Sequence, residues 1–443
     1  WNDRHHYQDY EALFNKLNAA YPRLTEMYSI GHTYNERNLW CLEITNEGRK
    51  NTNKTGIGVF ANIHGGEQES GESALYTAWW LLLNSDSTYV KNMLDNYIIY
   101  VVPIINPDGY EQSFVYNNRP NLRPTDRDGD GAPFSDPYTD INGDGFISNV
   151  YIGTAEQGEI ALNSPRKLTS AGMESANWNK NGKLGDDQRS STIDLNRTFD
   201  YMWNLYNVES YKTPNMDVIG ANAWNSAGPA AASEPEVQAV QKFLAQKPMA
   251  ALTTMHTGIQ CVLWPWCYPA PNYNLAPFAH MRDVGTEMAE AYAKTSGRNF
   301  YAKSSWEDYP TAAEMIDYAY GRHGINAYTI EVYSSGNSST GPGASDEDKC
   351  CWNDGDSLPQ TTVQFYSYEQ VRDTLGLDPD LLHLSQQANL GLWFRTTTSA
   401  QMAGKAPIDQ DKMVAGAKDA ILVMIESETS NDNYRNPAYL SWK

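Results

Sequence analysis

Four short apolar runs, each carrying or meeting residues suited to metal binding or proton transfer, constrain this 443-residue chain more than any other feature. Ile57 to Ile63 leads into His64-Gly65-Gly66-Glu67, and Tyr97 to Ile105 leads into Asn106-Pro107-Asp108-Gly109. Met249 to Met255 leads into His256-Thr257, and Asn326 to Val332 holds Glu331 inside it. Short runs that are apolar on both faces suit strands of a sheet covered by helices. Pro103 is awkward near the end of such a strand, because it cannot donate to a ladder.

Helical patterns fill the intervals. From about Ser70 to Leu83 the residues Ala74, Leu75, Ala78, Trp79, Leu82 and Leu83 form one apolar stripe. Glu234 to Gln246 reads as a helix opened by Ser233, with Glu236 three residues on completing a capping box. Further helices are expected within Pro277 to Ala293 and from Met413 to Glu426. This alternation predicts an α/β fold: one domain over 1–443, with a mixed, mostly parallel central sheet flanked by helices. Two polar stretches, near 117–192 and 334–400, lack periodicity and read as long loop excursions.

The balance of 33 basic against 54 acidic residues, a net charge of −21, repels phosphate backbones and excludes nucleic acid as the main partner. No apolar run approaches the ~18 residues of a membrane span, so no membrane association is expected. Trp1-Asn2-Asp3-Arg4-His5-His6 shows no export signal, which leaves a cytosolic protein or one whose signal has been removed. Five cysteines are too few for a disulfide scaffold. Cys261 and Cys267 can bridge or remain buried thiols, and the adjacent Cys350 and Cys351 could pair only under strain.

Open α/β sheets place ligands at the carboxyl ends of their strands. Here those ends offer two histidines and a glutamate, the His₂Glu set of a catalytic zinc with one open position. Gly65 and Gly66 allow the tight turn that lets His64 and Glu67 face one point. Each piece alone has a plainer meaning: His-x-x-Glu also describes an ordinary turn, and His256 and Glu331 could be structural. Their order carries the argument.

That order resembles the zinc metallocarboxypeptidases of the carboxypeptidase A and carboxypeptidase T type, the M14 peptidases. The matching pieces are Ile30-Gly31-His32-Thr33-Tyr34-Asn35-Glu36-Arg37, His64-Gly65-Gly66-Glu67, Asn106-Pro107-Asp108-Gly109-Tyr110, Asp194-Leu195-Asn196-Arg197, His256-Thr257 and Tyr328-Thr329-Ile330-Glu331. The resemblance implies His64, Glu67 and His256 as zinc ligands, Glu331 as the proton-transferring glutamate, and Asn196 with Arg197 as the grip on a substrate's terminal carboxylate. It implies an oxyanion-stabilising arginine after Asn-Pro-Asp-Gly; Arg123 is favoured over Arg119. Tyr309 falls at the family's mobile tyrosine, and Ile316 at the floor of the side-chain pocket. Glu314, close by, either meets a cationic substrate or points to solvent, since an unpaired buried carboxylate is costly. Trp264-Pro265-Trp266 either lines the cleft or packs inside.

Asp126, Asp128 and Asp130, and then Asp140, Asn142 and Asp144, each follow the start of a calcium-loop pattern. The twelfth positions are Pro137 and Tyr151 rather than Glu, so neither loop is complete, and the expectation is structural calcium. The resulting expectation is a mature, secreted or periplasmic zinc exopeptidase acting on peptide or protein C-termini, with no obligate protein partner. One alternative is a γ-D-glutamyl-diaminopimelate peptidase acting on cell-wall peptides. Another, from a different class, is an inactive zinc-binding relative serving as a binding module.

Overall fold

The computed structural model describes residues 1, 4–49, 54–116, 118–176, 179–188, 191, 193–205, 227–270, 276–333, 359–407 and 409–429. Eight strands form the main sheet: β1 (Thr25–His32), β2 (Asn38–Ile44), β3 (Thr55–Ala61), β4 (Tyr97–Val102), β7 (Met249–His256), β8 (Cys261–Trp264), β9 (Tyr301–Ser304) and β10 (Asn326–Glu331). Their order across the sheet is β1-β2-β4-β3-β7-β10-β8-β9. The inner pairs β4–β3, β3–β7 and β7–β10, and the edge pair β8–β9, are parallel. The pairs β1–β2, β2–β4 and β10–β8 are antiparallel.

The period-2 alternation of each inner strand divides its side chains between two cores. Ile57, Val59, Ile99, Val101, Met255, Tyr328 and Ile330 join one cluster, with the helices Gln68–Leu83, Ala276–Ser296 and Gln410–Thr429. Phe60, Tyr100, Val102, Leu252 and Ala327 join the other, with Pro235–Gln246 and Met315–His323. These are the expected helices and strands, within a few residues. Pro103 lies just beyond β4, so its missing donor falls outside the ladder. Leu83 is exposed and Leu81 buried, a rotation of the expected stripe at the helix end. No helix among the described residues is long and apolar enough to cross a membrane.

The two excursions are not loops throughout. The first contains β5 (Asn149–Gly153) and β6 (Thr169–Met173), and the second contains β11 (Thr362–Tyr366) and β12 (Gly391–Thr396). These join as an antiparallel sheet in the order β11-β12-β5-β6, over a separate apolar cluster that includes Val150, Leu184, Tyr366, Leu392 and Phe394. Each excursion supplies only part of that core, which is why neither shows a convincing pattern alone. Residues 334–358, with Cys350 and Cys351, lie outside the described residues. Cys41, Cys261 and Cys267 are free and buried, so the Cys261–Cys267 bridge is not formed.

Candidate active site

Three neighbouring parallel strands bring the metal-binding set together. β3 ends at Ala61, and the turn after it delivers His64 and Glu67, with Glu67 immediately before the Gln68–Leu83 helix. β7 ends on His256, and the register of β10 sets Glu331 directly beside it. Gly65 is required by a close approach of backbone: a Cβ there would lie 2.3 Å from the Gly109 carbonyl carbon and 2.6 Å from the Asn118 oxygen.

His64 Nδ1 lies 2.8 Å from Glu67 Oε1 and 3.1 Å from His256 Nδ1, and His256 Nδ1 lies 3.0 Å from Glu67 Oε2. All three side chains are buried. His64 Nε2 is 2.9 Å from Asp194 Oδ1, a carboxylate able to hold the ring proton on Nε2 when Nδ1 faces a metal. Two inward ring nitrogens and a carboxylate leave a gap suited to a cation. Their spacing is close to the ~3.3 Å between ligands of a tetrahedral zinc with bonds of ~2.0–2.1 Å. The donor set therefore fits zinc.

A cavity of about 210 Å³ opens from this cluster. It is smaller than the roughly 300–1,000 Å³ of drug-sized ligand sites. Its wall includes His64, Glu67, His256, Glu331, Arg119, Asn196, Arg197, Tyr309 and Glu314. Arg119 Nε donates to Asp194 Oδ2 at 2.8 Å, and Nη1 donates to Glu67 Oε1 at 3.3 Å. Arg197 Nη1 donates to Glu314 Oε1 at 2.9 Å, and Nη2 lies 3.3 Å from the Tyr309 hydroxyl at the mouth. Glu331 Oε2 is buried without a hydrogen-bond partner.

Burial alone would raise the Glu67 carboxyl, but His64 and His256 outweigh it and hold the group below the ordinary carboxylate range. Burial likewise opposes ionisation of Asp194, yet Arg119 and His64 pull it well down. At Glu331 burial prevails: the carboxyl is pushed up to about 8, with His256 and Arg119 pulling against it and Glu67 adding to it.

Two expectations are corrected. Arg123 is not on the cavity wall; its guanidinium pairs with the fully buried Glu234 at 2.9 Å, while Arg119 faces the site. Both lie in one aperiodic segment, so spacing could not tell which one points inward. Ile316 is fully buried in the core with Phe199 and Leu195 and is not among the cavity's lining residues; Leu263 and Ile259 supply apolar wall instead. Trp264 and Trp266 also pack away from the cavity, Trp266 against Tyr201, Phe278 and Tyr320. Asp308 was missed, and only its place beside Tyr309 could have signalled it; it lines the cavity and pairs with Lys303 at 2.7 Å.

The acidic turns lie elsewhere. Oxygens of Asp126, Asp128 and Asp130 lie within 4.8 Å of one another, as do those of Asp140, Asp144 and Glu174. Asp126 and Asp140 accept from amides of their own turns, at Gly129 and Gly131 and at Gly143 and Gly145. Buried Glu174 approaches from a distant segment, accepting from the Ile141, Asn142 and Ser148 amides.

A sequence profile of the zinc carboxypeptidase family matches residues 10–346, and the chain belongs to that family. Human mast cell carboxypeptidase A is 22% identical over 349 residues, a match spanning 75% of this chain but 65% of that protein's length. Carboxypeptidase B of Astacus astacus is 22% identical over 342 residues, covering 76% of this chain and 88% of that one. Among solved structures, carboxypeptidase A from Helicoverpa armigera is similar in fold, with a TM-score of 0.52 and 16% identity over 94% of this chain and 74% of that chain.

Proposed function

We propose that this protein is a zinc-dependent exopeptidase that hydrolyses the C-terminal peptide bond of peptides. The observation that carries the reading is one small cavity whose wall holds a His₂Glu metal set, a buried carboxylate and an Arg-Asn pair. Zinc held by His64, Glu67 and His256 would polarise the scissile carbonyl and acidify a water. Glu331, beside His256, takes the proton of the attacking water and passes it to the leaving amine. Arg119 stabilises negative charge developing on the carbonyl oxygen. Asn196, Arg197 and Tyr309 receive the terminal carboxylate, so that only a chain end places its last bond over the metal set.

The test is a digest of mixed peptides, each with a free or amidated C-terminus, with and without a zinc chelator. Loss of single terminal residues from free-carboxyl peptides only, abolished by chelation, is the expected result. Cleavage of muropeptides alone would replace this reading with the cell-wall one. Glu331→Gln should keep one equivalent of zinc by elemental analysis while kcat falls by roughly 10²–10⁴; near-normal turnover would overturn the role of Glu331. The same elemental analysis reads any calcium carried by the two acidic turns.

A further inference from the structure

Arg197, the proposed receiver of the substrate's carboxylate, already holds a carboxylate belonging to the protein. Its Nη1 donates to Glu314 Oε1 and to the Asn196 carbonyl, both at 2.9 Å. Asn196 Nδ2 reaches Glu314 Oε2 at 3.3 Å, and the Thr311 hydroxyl also binds Glu314 Oε1. Both charged side chains are nearly buried, at 9% exposed for Arg197 and 10% for Glu314, so water cannot readily replace a lost partner.

An arriving terminal carboxylate therefore brings a second anion to one guanidinium. Two nearby cations among the described residues are already committed. Arg119 is paired with Asp194 and Glu67, and Lys303 is paired with Asp308. If the substrate takes Arg197 and brings nothing else, Glu314 remains as a buried carboxylate without a charged partner. A cation on the substrate's last side chain removes that penalty by restoring one-to-one pairing.

We propose that Glu314 makes this cavity select a C-terminal residue with a cationic side chain through an exchange of ion pairs: the substrate carboxylate takes Arg197 while the side-chain cation takes Glu314. This rests on the carboxypeptidase reading of the same cavity. Selection comes as much from rejection as from attraction. An apolar side chain can contact Leu263 and Ile259 on the wall but leaves Glu314 stranded. Ile316, whose position by resemblance suggests an apolar pocket floor, is buried in the core and is not among the cavity's lining residues. Lysine and arginine are the residues selected. Diaminopimelate, which carries a carboxylate beside its distal amine, should rank below lysine because it presents Glu314 with a like charge.

The experiment compares kcat/KM for peptides identical except for a terminal Lys, Arg, Phe, Leu or diaminopimelate, on the zinc-loaded wild type and on Glu314→Gln. Lysine and arginine should exceed phenylalanine by about 30-fold or more, as expected for a desolvated charge pair, and Glu314→Gln should remove most of that ratio. Preference for Phe or Leu in the wild type, or an unchanged ratio in Glu314→Gln, would overturn the proposal. Calorimetry of N-acetyl-lysine against N-acetyl-phenylalanine on zinc-depleted protein gives a second reading that needs no turnover. Failure of every free-carboxyl peptide to lose its last residue would sink the exopeptidase reading, while equal binding of the two acetylated residues would sink the selection itself. Should Glu314→Gln not fold, Glu314→Asp, which keeps the charge on a shorter side chain, should retain the preference for lysine; its loss there with the fold intact counts against the exchange.

Discussion

Glu236 shows how far a single side chain's role can lie from its apparent local one. Its spacing from Ser233 suggests a helix cap, yet Glu234 is the N-cap and makes no side-chain capping bond. Ser233 instead turns its hydroxyl to Glu234 Oε1, and Glu236 Oε2 accepts from Asn121 at 3.1 Å. Burial pushes the Glu236 carboxyl up to about 8, with Asp108 and Glu234 adding to the rise, while its own amide and Asn121 oppose it. A carboxyl raised on folding favours the folded state fully below its unfolded pKa of ~4.3, and that contribution is lost as pH rises through about 8. Glu236→Gln, which cannot ionise, should therefore flatten the fall in stability between roughly pH 4.5 and 8. Urea midpoints across that range test this, and parallel curves for the two proteins would refute it. The slope is the informative quantity, because the amide's unpaired donors can lower stability equally at every pH.

At the scale of an element, residues 118–123 form a strap between the cavity and the Pro235–Gln246 helix. Gly65 N donates to the Arg119 carbonyl at 3.1 Å, Ser191 N to the Asn121 carbonyl at 2.9 Å, and Asn121 Nδ2 to Glu234 Oε2 at 2.8 Å. The two arginines at its ends consequently do different work. Arg119→Ala should act mainly on kcat, lowering it by about 10²–10³ as for loss of an oxyanion donor, alongside a stability cost from leaving Asp194 and Glu67 without this partner. Arg123→Ala should instead destabilise by ~1–3 kcal/mol: it strands buried Glu234, but Arg123 is itself about a third exposed and the pair partly screened. Its loss of kcat per folded molecule should be much the smaller of the two. Steady-state kinetics paired with thermal melts separates them, and the reverse pattern would restore Arg123 to the site. The family resemblance implied an oxyanion arginine after Asn-Pro-Asp-Gly, but a segment without periodicity does not reveal which side chain turns inward.

Across the whole molecule, two sheets rest on distinct apolar clusters. Phe394, 1% exposed, anchors the smaller one, and Phe394→Ala should cost about 3–5 kcal/mol. We expect that loss to fall first on the smaller sheet. Hydrogen exchange should accelerate at amides of β5, β6, β11 and β12 while β3, β7 and β10 stay protected. Equal acceleration in both sheets would mean that they unfold as one cooperative unit.

What the sequence determined by itself is four inner strands of the main sheet, β3, β4, β7 and β10, and the polar residues at their ends. Ile57 to Ile63, Met249 to Met255 and Asn326 to Val332 are mostly apolar, so burial on both faces was legible, and the polar residues beside or inside each run marked where a site would form. The tertiary structure alone decided matters that depend on partners distant in the chain. It paired two excursions into a second sheet whose core neither contains alone, turned Arg119 inward and Arg123 to Glu234, and sent Ile316 into the core. It also set Glu314 against Arg197, 117 positions away. The physical reason is range: propensity and apolar periodicity are written in neighbouring residues, whereas an ion pair or a shared core exists only after distant segments have met.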